Sequence, residues 1–125
     1  PEVRDLLERR MREICAGIAA TFGAKIDIEY FRGYPVTFNH EKQTDFSIKV
    51  ASEVSGGENV LSNIQPTMGA EDFSFMLEAR PGTMIFIGNG DSAGLHHPAY
   101  DFNDQVIPAG ISYWARLVET AMPAR

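Results

Sequence analysis

The segment AKIDIEY, residues 24–30, constrains this chain more than any other. Ile26, Ile28 and Tyr30 alternate with Asp27 and Glu29, the period of a strand with one core face and one wet face. Such a strand needs sheet partners, and the helix-forming stretch before it cannot supply them. Gly33 and Pro35 then break the run. The N-terminal third therefore reads as half of a module.

The stretch preceding it, PEVRDLLERRMREICAGIAATFG, has the spacing of an amphipathic helix. Val3, Leu6, Leu7, Met11, Ile14, Cys15, Ile18 and Phe22 recur at steps of three and four. Glu2 and Asp5 sit near the start, where the helix dipole favours them, and Gly23 is placed as the C-terminal stop. Arg9, Arg10 and Arg12 lie among Glu8 and Glu13, which reads as a solvated face. Cys15 falls on the apolar stripe and reads as a buried structural thiol rather than a nucleophile.

After the strand the composition turns polar, and a module boundary is expected near residues 36–40. A second helix is expected over Asp45 to Val54, with Phe46, Val50, Ala51 and Val54 inward and Thr44 or Asp45 as its cap. Asn59 to Ile64 is a strand candidate. A third helix should begin near Gly69, with Glu71 and Asp72 in its first turn and Phe73, Met76 and Leu77 on its apolar side. TMIFIG, residues 83–88, has the continuous apolar character of a strand buried on both faces. A last helix is expected over Ile107 to Ala121, with Pro108 in its first turn and Ile111, Trp114, Ala115, Val118 and Ala121 buried. Strands alternating with helices define an α/β class.

The charge balance, 11 basic against 17 acidic residues, argues against a nucleic-acid surface, which needs clustered Lys and Arg. A single cysteine excludes an intrachain disulfide and fits a reducing, cytoplasmic setting. No apolar run approaches the roughly 20 residues of a membrane span, and no secretory leader is visible. A start on Pro1 raises the expectation of a fragment or a processed product.

GLHHPAYDFND, residues 94–104, carries the richest chemistry. Adjacent residues in extended chain point to opposite sides, so His96 and His97 should not grip one metal together. Asp91, Asp101 and Asp104 are nearby carboxylates. From composition alone the loop reads as surface residues with local turn hydrogen bonds. A catalytic zinc site takes about three protein ligands. The chain offers His40, His96, His97 and Cys15, with no His pair at helical spacing and no paired Cys, so it does not support an independent metal site. Glycines at 88, 90 and 94 lack dinucleotide spacing, which leaves little for a nucleotide-binding reading. No G-x-S-x-G elbow is present, and Ser62, Ser74 and Ser92 lack a recognisable base.

Two stretches together resemble a known family. MGAEDFSFMLEARPGTMIFIGNG, residues 68–90, and LHHPAYDFNDQVIPAG, residues 95–110, are similar to the C-terminal end of zinc-type amidohydrolases and peptidases. That family includes hippurate hydrolase, N-acyl-amino-acid hydrolases and auxin-conjugate hydrolases. The shared pattern is G-x-E-D-F, P-G, an apolar strand ending in glycine, then L-H-x-P-x-Y-D-F-N-D. PEVRDLLERRM and YPVTFN are also similar to it.

The resemblance implies the last helix and strand of an α+β lid, or dimerisation, domain over residues 1–36. It implies the closing part of a zinc-peptidase-like α/β catalytic domain over residues 37–125. It makes His96 a ligand to one of two divalent metal ions (zinc, manganese, cobalt or nickel), and places Gly69 near the substrate. His97 falls where the family varies. The general base and the remaining ligands are expected upstream, so the chain alone should not hydrolyse amides. The implied substrates are N-acyl amino acids, and a homodimer through the lid is implied. Glu71 and Asp72 also read simply as charges that stabilise a helix start. A competing reading is a non-catalytic dimerisation or interaction module built on the first helix and the strand after it.

Overall fold

The computed structural model describes residues 2–123. It divides into two compact units, Pro1–Gly33 and Tyr34–Arg125.

The first unit is helix α1, Glu2–Phe22, followed by a return segment. Gly23 ends the helix at φ 61°, and the Ala24 N–H reaches back to the Ala19 carbonyl at 3.0 Å. That is the six-to-one bond of a helix stop built on a left-handed glycine. Ion pairs then hold the return. Arg32 meets Asp5 at 2.7 Å and Glu8 at 2.6 Å, Arg12 meets Glu8 at 2.8 Å, and Arg4 donates to the Gly33 carbonyl at 3.1 Å. The hydrogen bonds from Arg32 and then Arg12 hold the Glu8 carboxyl below the usual glutamate range.

This arrangement covers a different face from the one the periodicity suggests. Arg4, Glu8, Cys15 and Ala19 are half-buried, whereas Val3, Leu7, Ile14, Ile18 and Phe22 are exposed. Charged side chains with long stems reach the return segment, so electrostatics decides the contact that hydropathy would have assigned to leucine and isoleucine. Cys15 keeps partial exposure and is a free thiol.

The second unit contains α2 (Glu41–Ser55), α3 (Phe73–Ala79) and α4 (Ile107–Ala121), with single 3-10 turns at Gly57–Asn59 and Asp104–Val106. Helix α2 starts four residues earlier than the sequence suggests. His40 stands at the N-cap without a side-chain capping bond. Thr44 lies inside the helix and donates to the His40 carbonyl at 2.9 Å instead of capping. Helix α3 begins at Phe73, not near Gly69. Glu71 lies before it and accepts from the Phe73 N–H at 3.2 Å, so its charge acts at the helix start but outside the helix.

Helices α2 and α4 pack together, and Arg116 on α4 pairs with Glu53 on α2 at 2.8 Å. The α4 bounds agree with expectation, but its packed face does not. Val106, Gly110, Tyr113, Leu117 and Thr120 form the covered row, with Tyr113 buried. Ile111, Trp114, Ala115, Val118 and Ala121 are exposed. The covered row is the more mixed of the two, and its Tyr113 hydroxyl reaches Ser47 on α2. Among the described residues Val50 and Leu77 complete the small buried apolar set, and Ser74 is fully buried with its hydroxyl donating to the Glu71 carbonyl at 2.6 Å. Met76, expected inward, is exposed.

Among the described residues there is no strand. Residues 26–30, 60–64 and 83–88 form no ladder, which corrects the expected strands at those positions. The physical reason is that a strand exists by pairing with a neighbour, whatever its own periodicity. Some backbone around residue 83 is paired in another way. Asn39 clasps Met84, donating to its carbonyl at 2.9 Å and accepting its N–H at 2.8 Å. The His40 N–H donates to the Gly82 carbonyl at 3.0 Å. A side-chain amide and the N-cap residue of α2 thus satisfy backbone groups of Met84 and Gly82.

Candidate functional site

The loop between the 83–88 segment and α4 holds the chemistry-bearing residues, and one side chain organises it. Asn89 follows Gly88 and precedes Gly90, whose φ of 80° permits the tight turn. The Asn89 amide donates to Ser92 Oγ at 2.9 Å and to the Asp101 carbonyl at 2.7 Å. Its Oδ1 accepts the Asn103 N–H at 2.8 Å. Both donors and the acceptor are thus engaged, and they staple the loop's beginning to its end. Asn103 Oδ1 in turn accepts the Gln105 N–H at 3.0 Å, which starts the 3-10 turn leading into α4. The loop is therefore anchored to the helix that packs on α2.

Between these anchors, two consecutive turns share His97. The His97 N–H closes the first turn on the Gly94 carbonyl at 3.1 Å, and the His97 carbonyl closes the second on the Tyr100 N–H at 2.9 Å. His97 Nδ1 also accepts the Ala99 N–H at 3.0 Å. Inside the first turn, His96 has φ 65° and is the only non-glycine residue with positive φ among those described. Histidine is one of the side chains that tolerate this region, at a cost of about 1–3 kcal/mol that the surrounding turn must offset. The His96 ring is exposed and makes no hydrogen bond among the described residues.

The two adjacent imidazoles therefore differ chemically. A backbone N–H can only donate, so His97 Nδ1 carries no proton and the neutral ring holds its proton on Nε2. The His96 ring has both nitrogens available to a ligand.

Beside the turns lies an open concavity of about 450 Å³ lined by Asn89, Asp91, Ser92, Ala99, Asp101 and Asp104, among others. Its carboxylates do not make a metal cage: among the described residues no three His, Cys, Asp or Glu side chains come together to hold a metal ion. His40 is engaged elsewhere, its Nδ1 within 3.2 Å of both the N and O of Gly82. As a fit to a divalent metal, the loop offers one unengaged imidazole and not a complete centre.

A Cβ on Gly69 would meet open space, so nothing in the described structure requires glycine there. The start of α3 that follows is occupied by the chain's own Glu71 carboxylate. Asn89 and Asn39 are the organising residues that sequence reasoning missed. The Asn-Gly pair at 89–90 carries a turn signal that points to Asn89. Nothing comparable marks Asn39, whose role depends on the approach of Met84.

Residues 6–120 match the model of peptidase family M20/M25/M40, and the chain belongs to that family. Membership fits a zinc-peptidase-like fold. The chain is 36% identical to hippurate hydrolase of Campylobacter jejuni over 116 residues, which is 93% of this chain and 30% of that protein. It is 37% identical to N-acetyldiaminopimelate deacetylase of Exiguobacterium sibiricum over 103 residues, 82% of this chain and 27% of that protein. It is 32% identical to a putative amidohydrolase of Bacillus subtilis, across 84% of this chain and 28% of that protein. The chain thus spans under a third of the length of these curated relatives. No solved structure matches it significantly. Among the described residues no helix is long and apolar enough to cross a membrane.

Proposed function

We infer that this chain is the C-terminal share of a hydrolase that cleaves the amide bond of N-acyl amino acids, with His96 ligating one of two divalent metal ions. The observation that carries this reading is the contrast at residues 96 and 97. His97 is engaged by the turn, while His96 is held in a strained conformation with both ring nitrogens free. Strain of that kind persists where a site needs it. The family membership supplies the reaction class.

The metals, when bound, lower the pKa of a water molecule and polarise the amide carbonyl. This chain's part is to hold one imidazole at a set place. The double turn fixes the His96 backbone, and Asn89 fixes the double turn. The general base lies outside these residues, as do the other ligands. Zinc, manganese, cobalt and nickel all accept imidazole. Gly69 would contribute exposed backbone beside the substrate. Its share is smaller than the sequence suggests, because Glu71 already fills the start of α3.

The test uses the protein as its gene encodes it. His96→Ala should lower metal-dependent hydrolysis of hippurate by more than about a hundredfold, in line with the loss of a ligand. Unchanged hydrolysis overturns the reading. The purified 125-residue chain should not hydrolyse hippurate with any of these metals, and turnover by it would show that the missing ligands are not needed.

A second reading, an interaction module forming a homodimer through residues 1–36, is favoured by the exposed apolar row of α1. A homodimer is expected with either reading, so His96→Ala separates the two: a hydrolase loses its metal-dependent activity, and an interaction module is unaffected. A cytoplasmic setting is proposed with either reading, from the single cysteine.

A further inference from the structure

The geometry points to His97 as the positioning residue of this loop: its Nδ1 accepts the Ala99 N–H and so holds His96 where a metal can reach it, while His97 itself is barred from the metal. The inference rests on the reading of His96 as a ligand and adds a role for its neighbour.

Three bonds converge on His97. Its backbone closes both turns, at 3.1 Å to Gly94 and 2.9 Å to Tyr100. Its ring supplies the third bond, at 3.0 Å to the Ala99 N–H. That N–H lies within the second turn and has no other partner among the described residues. Without the ring bond, the second turn keeps only its closing bond, and the anchor on the C-terminal side of His96 loosens. His96 stands at φ 65°, a conformation a non-glycine residue leaves when the surrounding structure stops imposing it.

The same bond keeps His97 away from coordination. Ligation through Nδ1 would displace the Ala99 N–H. Ligation through Nε2 would need the ring proton moved to Nδ1, where it would face that N–H. An acceptor at the δ position is what the turn requires, and an imidazole is not essential. Asparagine carries its Oδ1 at the same place along the side chain and makes the same bond to an N–H two residues on.

The experiment compares three variants of the gene-encoded protein by Zn²⁺ competition against a chromophoric chelator. His97→Ala should weaken Zn²⁺ affinity by about 10–100-fold, the range for residues that orient a ligand. His97→Asn should remain within about threefold of the parent. His96→Ala should lose more than either. Amide exchange at Ala99 should quicken in His97→Ala and stay slow in His97→Asn. Parental affinity in His97→Ala overturns the positioning role while leaving His96 as a ligand. A loss in His97→Asn as deep as in His96→Ala also overturns it, because the ring itself would then be needed. Unchanged affinity in His96→Ala removes the ligand reading and this inference with it. If His97→Ala does not fold, the Asn variant decides alone.

Discussion

Ser47 Oγ and Tyr113 Oη lie 2.7 Å apart, both side chains buried, and this bond joins α2 to α4. Tyr113→Phe should leave the Ser47 hydroxyl buried without a partner and destabilise the unit by about 1–2 kcal/mol. Adding Ser47→Ala should cost less than the sum of the two single changes, because the orphaned hydroxyl goes with it. Urea unfolding of all three variants checks this, and strict additivity would count against a direct bond.

Asn89 is expected to be the most sensitive polar position in the loop. Asn89→Ala removes three hydrogen bonds at once and should cost about 1–3 kcal/mol of local stability. The Asn103 amide, which donates to Asn89 Oδ1, should exchange at least about tenfold faster. Asn89→Asp keeps the acceptor and loses the two donors, so it should fall between the parent and the alanine variant at that amide.

His96→Gly separates stability from function. Glycine takes positive φ without strain, so the loop should gain up to about 1 kcal/mol while Zn²⁺ affinity falls as in His96→Ala. Thermal unfolding and metal titration of one sample give both numbers. A loss of stability would mean that the histidine side chain itself supports the turn.

Acid should loosen the first unit through Glu8. Its folded pKa is depressed, first by the hydrogen bond from Arg32 and then by that from Arg12. A depressed carboxylate contributes stability above its unfolded pKa and loses it as pH falls through the folded value. Helicity over residues 2–22 should therefore fall more steeply below the usual glutamate range in the parent than in Glu8→Gln. Salt should narrow the difference, since Arg32, Arg12 and Asp5 are exposed. Circular dichroism against pH, at low and high salt, reads it directly.

How much was legible depended on how local the cause was. The α1 stop and the extent of α4 follow from nearby residues: Gly23 in its left-handed conformation, and Pro108 in the first turn of an apolar-periodic stretch. The start of α2 was misread because Thr44 resembles a cap from sequence, yet its hydroxyl bonds back along the helix to His40. The L-H-x-P stretch was legible as a candidate site. Which histidine is engaged was only half legible, since the Ala99 N–H reaching His97 Nδ1 depends on how the second turn closes.

Sequence by itself determined which stretches are helical, though not where α2 and α3 begin, together with the turn-forming glycines and the family, because each is written in residue types at short spacing or in a motif. Tertiary structure decided which helix faces are covered. Helix α4 offers an apolar row of Ile111, Trp114 and Val118 and a mixed row of Gly110, Tyr113 and Leu117, and contact with α2 covers the one containing Tyr113. Helix α1 turns a charged row toward its return segment because Arg32 can reach Asp5 and Glu8. The apolar alternation at 26–30 remains without a ladder for the same kind of reason. Periodicity states which side a segment could bury, and a neighbour at bonding distance decides whether it does.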